Sequence, residues 1–194
     1  MPATSDLVDF AESSEAHVQP YNGNGLAITW DRGRFWQHIW DSGGNCPQAF
    51  YGESEYLESR VPTMISDYGK IMLKWAIMRI GEIARWRRGW PRIDVPTAVE
   101  GVSPQWGFEQ LTPIAGRLTS GGAYIPMEIR TIFPVYPELN QLSLVMQIDF
   151  DELLAGYMYP SGVGSSPVSV VGLTSLVLTR AVGARMGFSC LKGR

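Results

Sequence analysis

The sequence predicts a mainly β chain with minor α content (α+β), an antiparallel sheet or sandwich. Three observations predict it. The run from Leu142 to Phe150 alternates Leu142, Leu144, Met146, Ile148 and Phe150 with Ser143, Val145, Gln147 and Asp149, the period of a half-buried strand. A second run, Leu26 to Trp40, is rich in aromatic and β-branched residues and carries Asp31-Arg32-Gly33 as a turn. A third, Val168 to Ala181, is apolar with Val and Thr throughout, as buried strands are.

In chain order, residues 1–25 are polar and acidic and end in Gln19-Pro20-Tyr21-Asn22-Gly23-Asn24-Gly25, which reads as an N-terminal arm that contributes to a neighbour rather than to its own core. Residues 26–194 then read as a single β-rich domain. Leu26 to Trp40 gives two strands, or a strand and a short helix, ended by Asp41-Ser42-Gly43-Gly44-Asn45. The segment 70–88 fits two templates. As a helix it places Leu73, Ile77, Ile80 and Ala84 on one face; as a strand it alternates Ile71, Leu73, Trp75 and Ile77 with Lys70, Met72, Lys74 and Ala76. The strand is preferred for its parity and its β-branched content. Ile125–Phe133 and Leu142–Phe150, separated by Pro134, Pro137, Glu138 and Asn140, form a β-hairpin over 125–150. Asp151-Glu152-Leu153-Leu154-Ala155 begins a short helix, Tyr159 to Pro167 is a Gly- and Ser-rich linker, and no fixed-period repeat is present.

The chain has 194 residues, 45% hydrophobic and 11% aromatic, and only 18% charged against the roughly 25% typical of globular proteins. Seven Trp in so lightly charged a chain indicate surface destined to be covered. The composition excludes collagen, coiled coil, wholesale disorder and a dense disulfide scaffold. Cys46 and Cys190 are the only cysteines and no Asn-x-Ser/Thr sequon occurs, which fits free thiols in a protein made in a reducing compartment. No stretch reaches the ~18 apolar residues of a membrane span, and the start lacks a signal peptide's basic and apolar parts. Cytoplasmic synthesis without membrane attachment is expected.

The net charge of -3 hides a pattern. Residues 1–69 hold ten acids and three Arg; residues 70–92 hold seven basic residues and Glu82 alone. Residues 93–152 turn acidic again with eight acids and two Arg, and the last 42 residues carry four basic groups and no acid. The run Lys70 to Arg92, with Trp75, Trp86 and Trp90 among its cations, mixes the groups that bind single strands. Its acidic flanks count against nucleic acid as the partner and make a protein the expected one.

Catalytic groups are sparse. His17 and His38 are the only histidines, so a His-based triad or a multi-His metal site is not expected, and His38 between Trp36 and Trp40 reads as a packed aromatic neighbour. Neither a phosphate loop, a Gly-x-Ser-x-Gly elbow nor the third Gly of a dinucleotide fingerprint is present. Asp149, Asp151 and Glu152 form the one acidic knot suited to Mg²⁺ or acid–base work, and on the strand reading they are a solvated strand end. Asp31 and Asp41 beside the tryptophans read as part of a Trp-rich patch rather than a glycosidase pair. No catalytic residue, metal or cofactor is assigned.

These features together predict a non-enzymatic structural subunit that self-assembles head to tail into a ring, tube or shell. A tailed-bacteriophage virion protein of the neck, tail or capsid decoration suits a Cys-poor, β-rich chain of this size, with itself and neighbouring virion proteins as partners. The expected interface pairs Arg85, Arg87 and Arg88 with Glu53, Glu55 and Glu58 or the acidic arm of another copy, alongside an aromatic patch of Trp30, Phe35, Trp36 and Trp40. Carbohydrate binding through Trp30, Trp36 and Trp40 is the alternative.

Overall fold

The computed structural model describes residues 3–21, 25–30, 36–41, 49–54, 63–93, 106–131 and 135–160. Helix α1 (Ala3–Glu12) leads into strands β1 (His17–Tyr21), β2 (Gly25–Thr29), β3 (Trp36–Asp41), β4 (Ala49–Ser54) and β5 (Met64–Ser66), each antiparallel to the next. Helix α2 (Gly69–Arg87) follows, then β6 (Gly107–Thr112), β7 (Ala115–Ser120), β8 (Ala123–Tyr124) and β9 (Met127–Arg130), and finally helices α3 (Tyr136–Val145) and α4 (Phe150–Met158). The described strands form one sheet in the order β1-β2-β3-β4-β5-β9-β7-β6, with β8 paired to β7. The fold is mainly antiparallel β with helices, the α+β class the sequence predicts, as one sheet rather than a sandwich of two.

Alternation along the strands sorts the apolar residues onto two faces. Across the register Leu26, Ile39, Tyr51, Met64, Ile129 and Gly116 form one row, on the face that helices cover. The other face carries a second cluster, Tyr21, Ala27, Trp36 and Trp40, with Phe50 stacked on Trp40 at 5.2 Å between ring centroids. The paired β2 and β3 agree with the strand–turn–strand reading of 26–40; residues 31–35 lie outside the described ones.

Three expectations are overturned. Segment 70–88 is the helix α2 and not a strand. It packs on β4 and β5 on one side and on α1, α3 and α4 on the other, so Ile71, Met72, Leu73, Trp75, Ala76, Ile77, Met78, Ile80 and Ala84 are all buried. A helix buried nearly all round shows no polar face, and its period is hidden. The 125–150 hairpin does not form either. Its first run supplies the short β9, while its second belongs to α3 and the turn after it, where Leu139, Leu142 and Val145 are buried at a three-residue spacing and Leu144 is only half-buried. Pro137 in the first turn of α3, followed by Glu138, is a helix start.

The third correction concerns the arm. Residues 3–21 fold as α1 and β1, and Leu7, Phe10 and Ala11 are fully buried in the main core. Their i, i+3, i+4 spacing gives one apolar stripe, while Asp6, Asp9 and Glu12 point outward. Cys46, Cys190, the linker beyond Pro160 and the strand expected at 168–181 lie outside the described residues.

Where α2 crosses α4, Gly81 lies against the Tyr157 ring, and a Cβ there would meet Tyr157 Cδ1 at 2.4 Å and Cγ at 2.5 Å. Gly81→Ala would gain about 1 kcal/mol of helix propensity. The clash moves α4 and outweighs it, so a net loss of about 1–2 kcal/mol is expected in urea denaturation. A variant more stable than wild type would show that Tyr157 swings aside freely.

Candidate protein-binding surface

Two cations on one side of α2 hold the other helices. Lys74 Nζ donates to the carbonyls of Met146, at 3.1 Å, and of Ile148, capping the end of α3. Desolvation by burial pulls its pKa below the ordinary lysine value, with Asp149 opposing. Arg85, three turns further on, is 1% exposed. Its Nε donates to Pro91 O at 2.8 Å, Nη1 to Tyr159 O at 2.5 Å and Nη2 to Pro160 O at 3.0 Å, with longer bonds from Nη1 to Gly156 O and Tyr157 O. A guanidinium fork suits such a cage, and a cation suits the negative end of α4.

Beyond Arg85 the helix ends in a Schellman motif. Gly89, at φ +66°, donates to Trp86 O, and Trp90 N donates to Arg85 O at 2.9 Å. This end is aromatic and basic at once. Trp86 is 65% exposed, with the Arg87 guanidinium 5.1 Å from its ring centroid. Arg88 lies 4.6 Å over Trp90 and donates to Ser13 Oγ. Arg92 is exposed, and Tyr159 (54% exposed) and Met158 are exposed at the end of α4, whose backbone Arg85 holds. The exposed carboxylates of α1 border it.

The sequence-predicted interface is only partly assembled. Arg85, Arg87 and Arg88 sit together, but Arg85 faces inward and is a structural clamp, not a contact residue. Trp36 and Trp40 are buried, whereas half-buried Trp30 packs on the main core and donates from Nε1 to Ser14 Oγ at 2.9 Å, so the three tryptophans form no common platform. Glu53 lies in β4 with its side chain outside the described residues, as are Phe35, Glu55 and Glu58. His38 is packed 4.5 Å from the Tyr21 ring. The acidic knot is a helix start: Asp149 accepts from Asp151 N at 3.1 Å, and Asp151 and Glu152 occupy the first turn of α4. Trp86 and Trp90 stood out in the sequence only as stacking groups. Met158 and Tyr159 carried no signal, since the packing of α4 on α2 and the Arg85 bonds bring them alongside.

A second exposed apolar feature lies at the β6–β7 turn, with Leu111 and Ile114 outward. Nearby, Arg117 lies 4.3 Å over the Tyr124 ring and bonds Glu109 at 2.6 Å, a hydrogen bond that holds the Glu109 carboxyl below its ordinary pKa. Among the described residues no three His, Cys, Asp or Glu side chains converge to hold a metal ion, and no helix is long and apolar enough to cross a membrane.

A sheet backed by helices carries exposed Trp, Tyr and Arg, the residue types that protein contacts favour. The chain belongs to the Immunity protein 61 family, whose sequence model matches residues 10–164. Its fold is similar to that of Rv3902c from M. tuberculosis, at 16% sequence identity and a TM-score of 0.64, over 81% of this chain and 89% of that one. No curated protein matches the chain.

Proposed function

We propose that this chain is an immunity protein that binds a partner toxin protein and blocks it stoichiometrically, with no catalysis of its own. The observation that carries this reading is the family match, which runs from within α1 to beyond α4 and takes in the whole described sheet. The narrower expectation of a self-assembling phage virion subunit draws no support from the family, and neither does a homo-oligomer. Carbohydrate binding through Trp30, Trp36 and Trp40 loses its basis with two of them buried.

The test is co-expression of the full chain with toxin domains encoded in the same genome, followed by titration of the purified pair. Growth is expected to be restored for one toxin domain, and inhibition in vitro should end at a 1:1 molar ratio. Protection at a small fraction of the toxin's concentration would mean enzymatic detoxification and would overturn the reading, as would failure to protect against every toxin domain.

A further inference from the structure

We propose that the partner docks on the aromatic, basic end of α2, centred on Trp86, and that it presents an acidic surface with an apolar recess for the indole. This rests on the immunity reading and adds to it the surface and the chemistry of what it receives.

Four observations converge. First, Trp86 is the most exposed large apolar side chain among the described residues, at 65%. Burying an indole is among the largest single gains a protein contact offers, and Trp, Tyr and Arg dominate binding hot spots. Arg87 lies over its ring, and Tyr159 is exposed where its backbone carbonyl meets Arg85, the residue before Trp86. Second, the backbone beneath the surface is tied down by Arg85. Arg85 ties the chain after α2, at Pro91, to the chain after α4, at Tyr159 and Pro160, while Arg87 is stacked on Trp86. Less loop entropy then remains to be lost on association.

Third, the field at this corner is positive. Arg87, Arg88 and Arg92 crowd within six residues of chain, and Glu82, the one acid of the 70–92 run, pairs with Arg79 at 3.9 Å. An acidic partner surface is the complement, and opposed fields raise association rates as well as selecting the partner. Fourth, the neighbourhood disfavours a nucleic acid. The Arg88–Ser13 bond sets the end of α1 beside the patch, and the exposed Asp6, Asp9 and Glu12 would repel a continuous phosphate backbone. A protein surface can offer a bounded acidic area that stops short of α1.

The experiment measures the affinity of the full chain for the toxin domain it neutralises. Trp86→Ala should weaken binding about 30-fold. Arg87→Glu with Arg92→Glu should weaken it about 100-fold, mostly by slowing association, and should flatten its salt dependence. Arg88 is spared so that its bond to Ser13 stays intact. All these side chains lie on the surface, so melting temperatures should stay at the wild-type value, and Ile114→Ser at the β6–β7 turn should bind like wild type. Binding within about two-fold of wild type for both patch variants would overturn the docking site while leaving the immunity reading standing. So would loss of binding in Ile114→Ser alone. Absence of any toxin bound by the wild type would instead remove the immunity reading beneath it. Two further outcomes overturn the proposed occupant: a wild-type dimer that the arginine reversals dissociate, which makes it a second copy, and tight binding of a single-stranded oligonucleotide at physiological salt.

Discussion

Arg85→Ala is expected to lower the free energy of unfolding by about 3 kcal/mol, the scale for removing a buried charged donor from acceptors that remain. The guanidinium reaches five carbonyls, and four of them, at Gly156, Tyr157, Tyr159 and Pro160, belong to the last turn of α4 or the chain just after it. Those are positions where a helix leaves carbonyls without partners of its own. Without Arg85 the end of α4 loses its clamp and the chain after α2 loses its tie at Pro91. Arg85→Met separates packing from hydrogen bonding, because it keeps most of the volume and none of the donors. Arg85→Lys should recover part of the loss, limited by an ammonium's lack of the planar fork. Urea denaturation decides it. A loss under about 1 kcal/mol for Arg85→Met would mean that water takes over the carbonyls at little cost.

Phe10→Ala carries a comparable effect, about 3–5 kcal/mol, as for other fully buried aromatic residues, and a fall in melting temperature on the order of 10 °C. The ring is fully buried in the main core with Leu7 and Ala11. Asp9→Asn, one residue away and exposed, should stay within about 0.5 kcal/mol of wild type. Calorimetry on both variants measures the contrast. Equal, small effects at the two sites would return residues 3–12 to the status of a dispensable arm.

Part of the sheet is legible, the β2–β3 pair and the run that holds β9, because strand signals are local; β1 lies in the segment read as an arm, and β4 to β8 drew no reading from the chain alone. The β2–β3 pair follows from aromatic and β-branched runs around Asp31-Arg32-Gly33, and α4 from Asp151-Glu152 ahead of Leu153-Leu154. The failures have physical causes of three kinds. In α1 the stripe Leu7, Phe10, Ala11 is diluted by four acids when composition is averaged over 25 residues. In α3 a sequence that alternates like a strand is overruled by Pro137 and Glu138, whose position fits a first helical turn better than a loop. In α2 burial on both sides removes the polar face that would have announced a helix, and length was the better guide, since 19 residues far exceed a usual strand. The proposed site was half legible. The cluster of Arg and Trp at 85–92 is visible in the chain, but that Arg85 turns inward and Trp86 outward, and that Tyr159 joins them, follows from contacts more than 70 residues apart in sequence.

The seam between β5 and β9 sets how the chain can assemble. Every other pairing among the described strands joins segments close in sequence, so the β1–β5 meander and the β6–β9 meander can each form by zipping from their own turns. Among the described pairings only Met64–Ser66 against Met127–Ile129, extended by Arg130 N to Thr63 O and Asp67 N to Pro126 O, demands closure of a long loop. Loop entropy grows slowly with length, so that closure is a single, modest toll on the search. Helix α2 leaves the first meander directly after β5 and packs on β4 and β5, so it covers part of the first meander's apolar face without help from the second. The described sheet is therefore built as two halves of local connectivity joined across three residue pairs, with α2 packed on the first half beside the join.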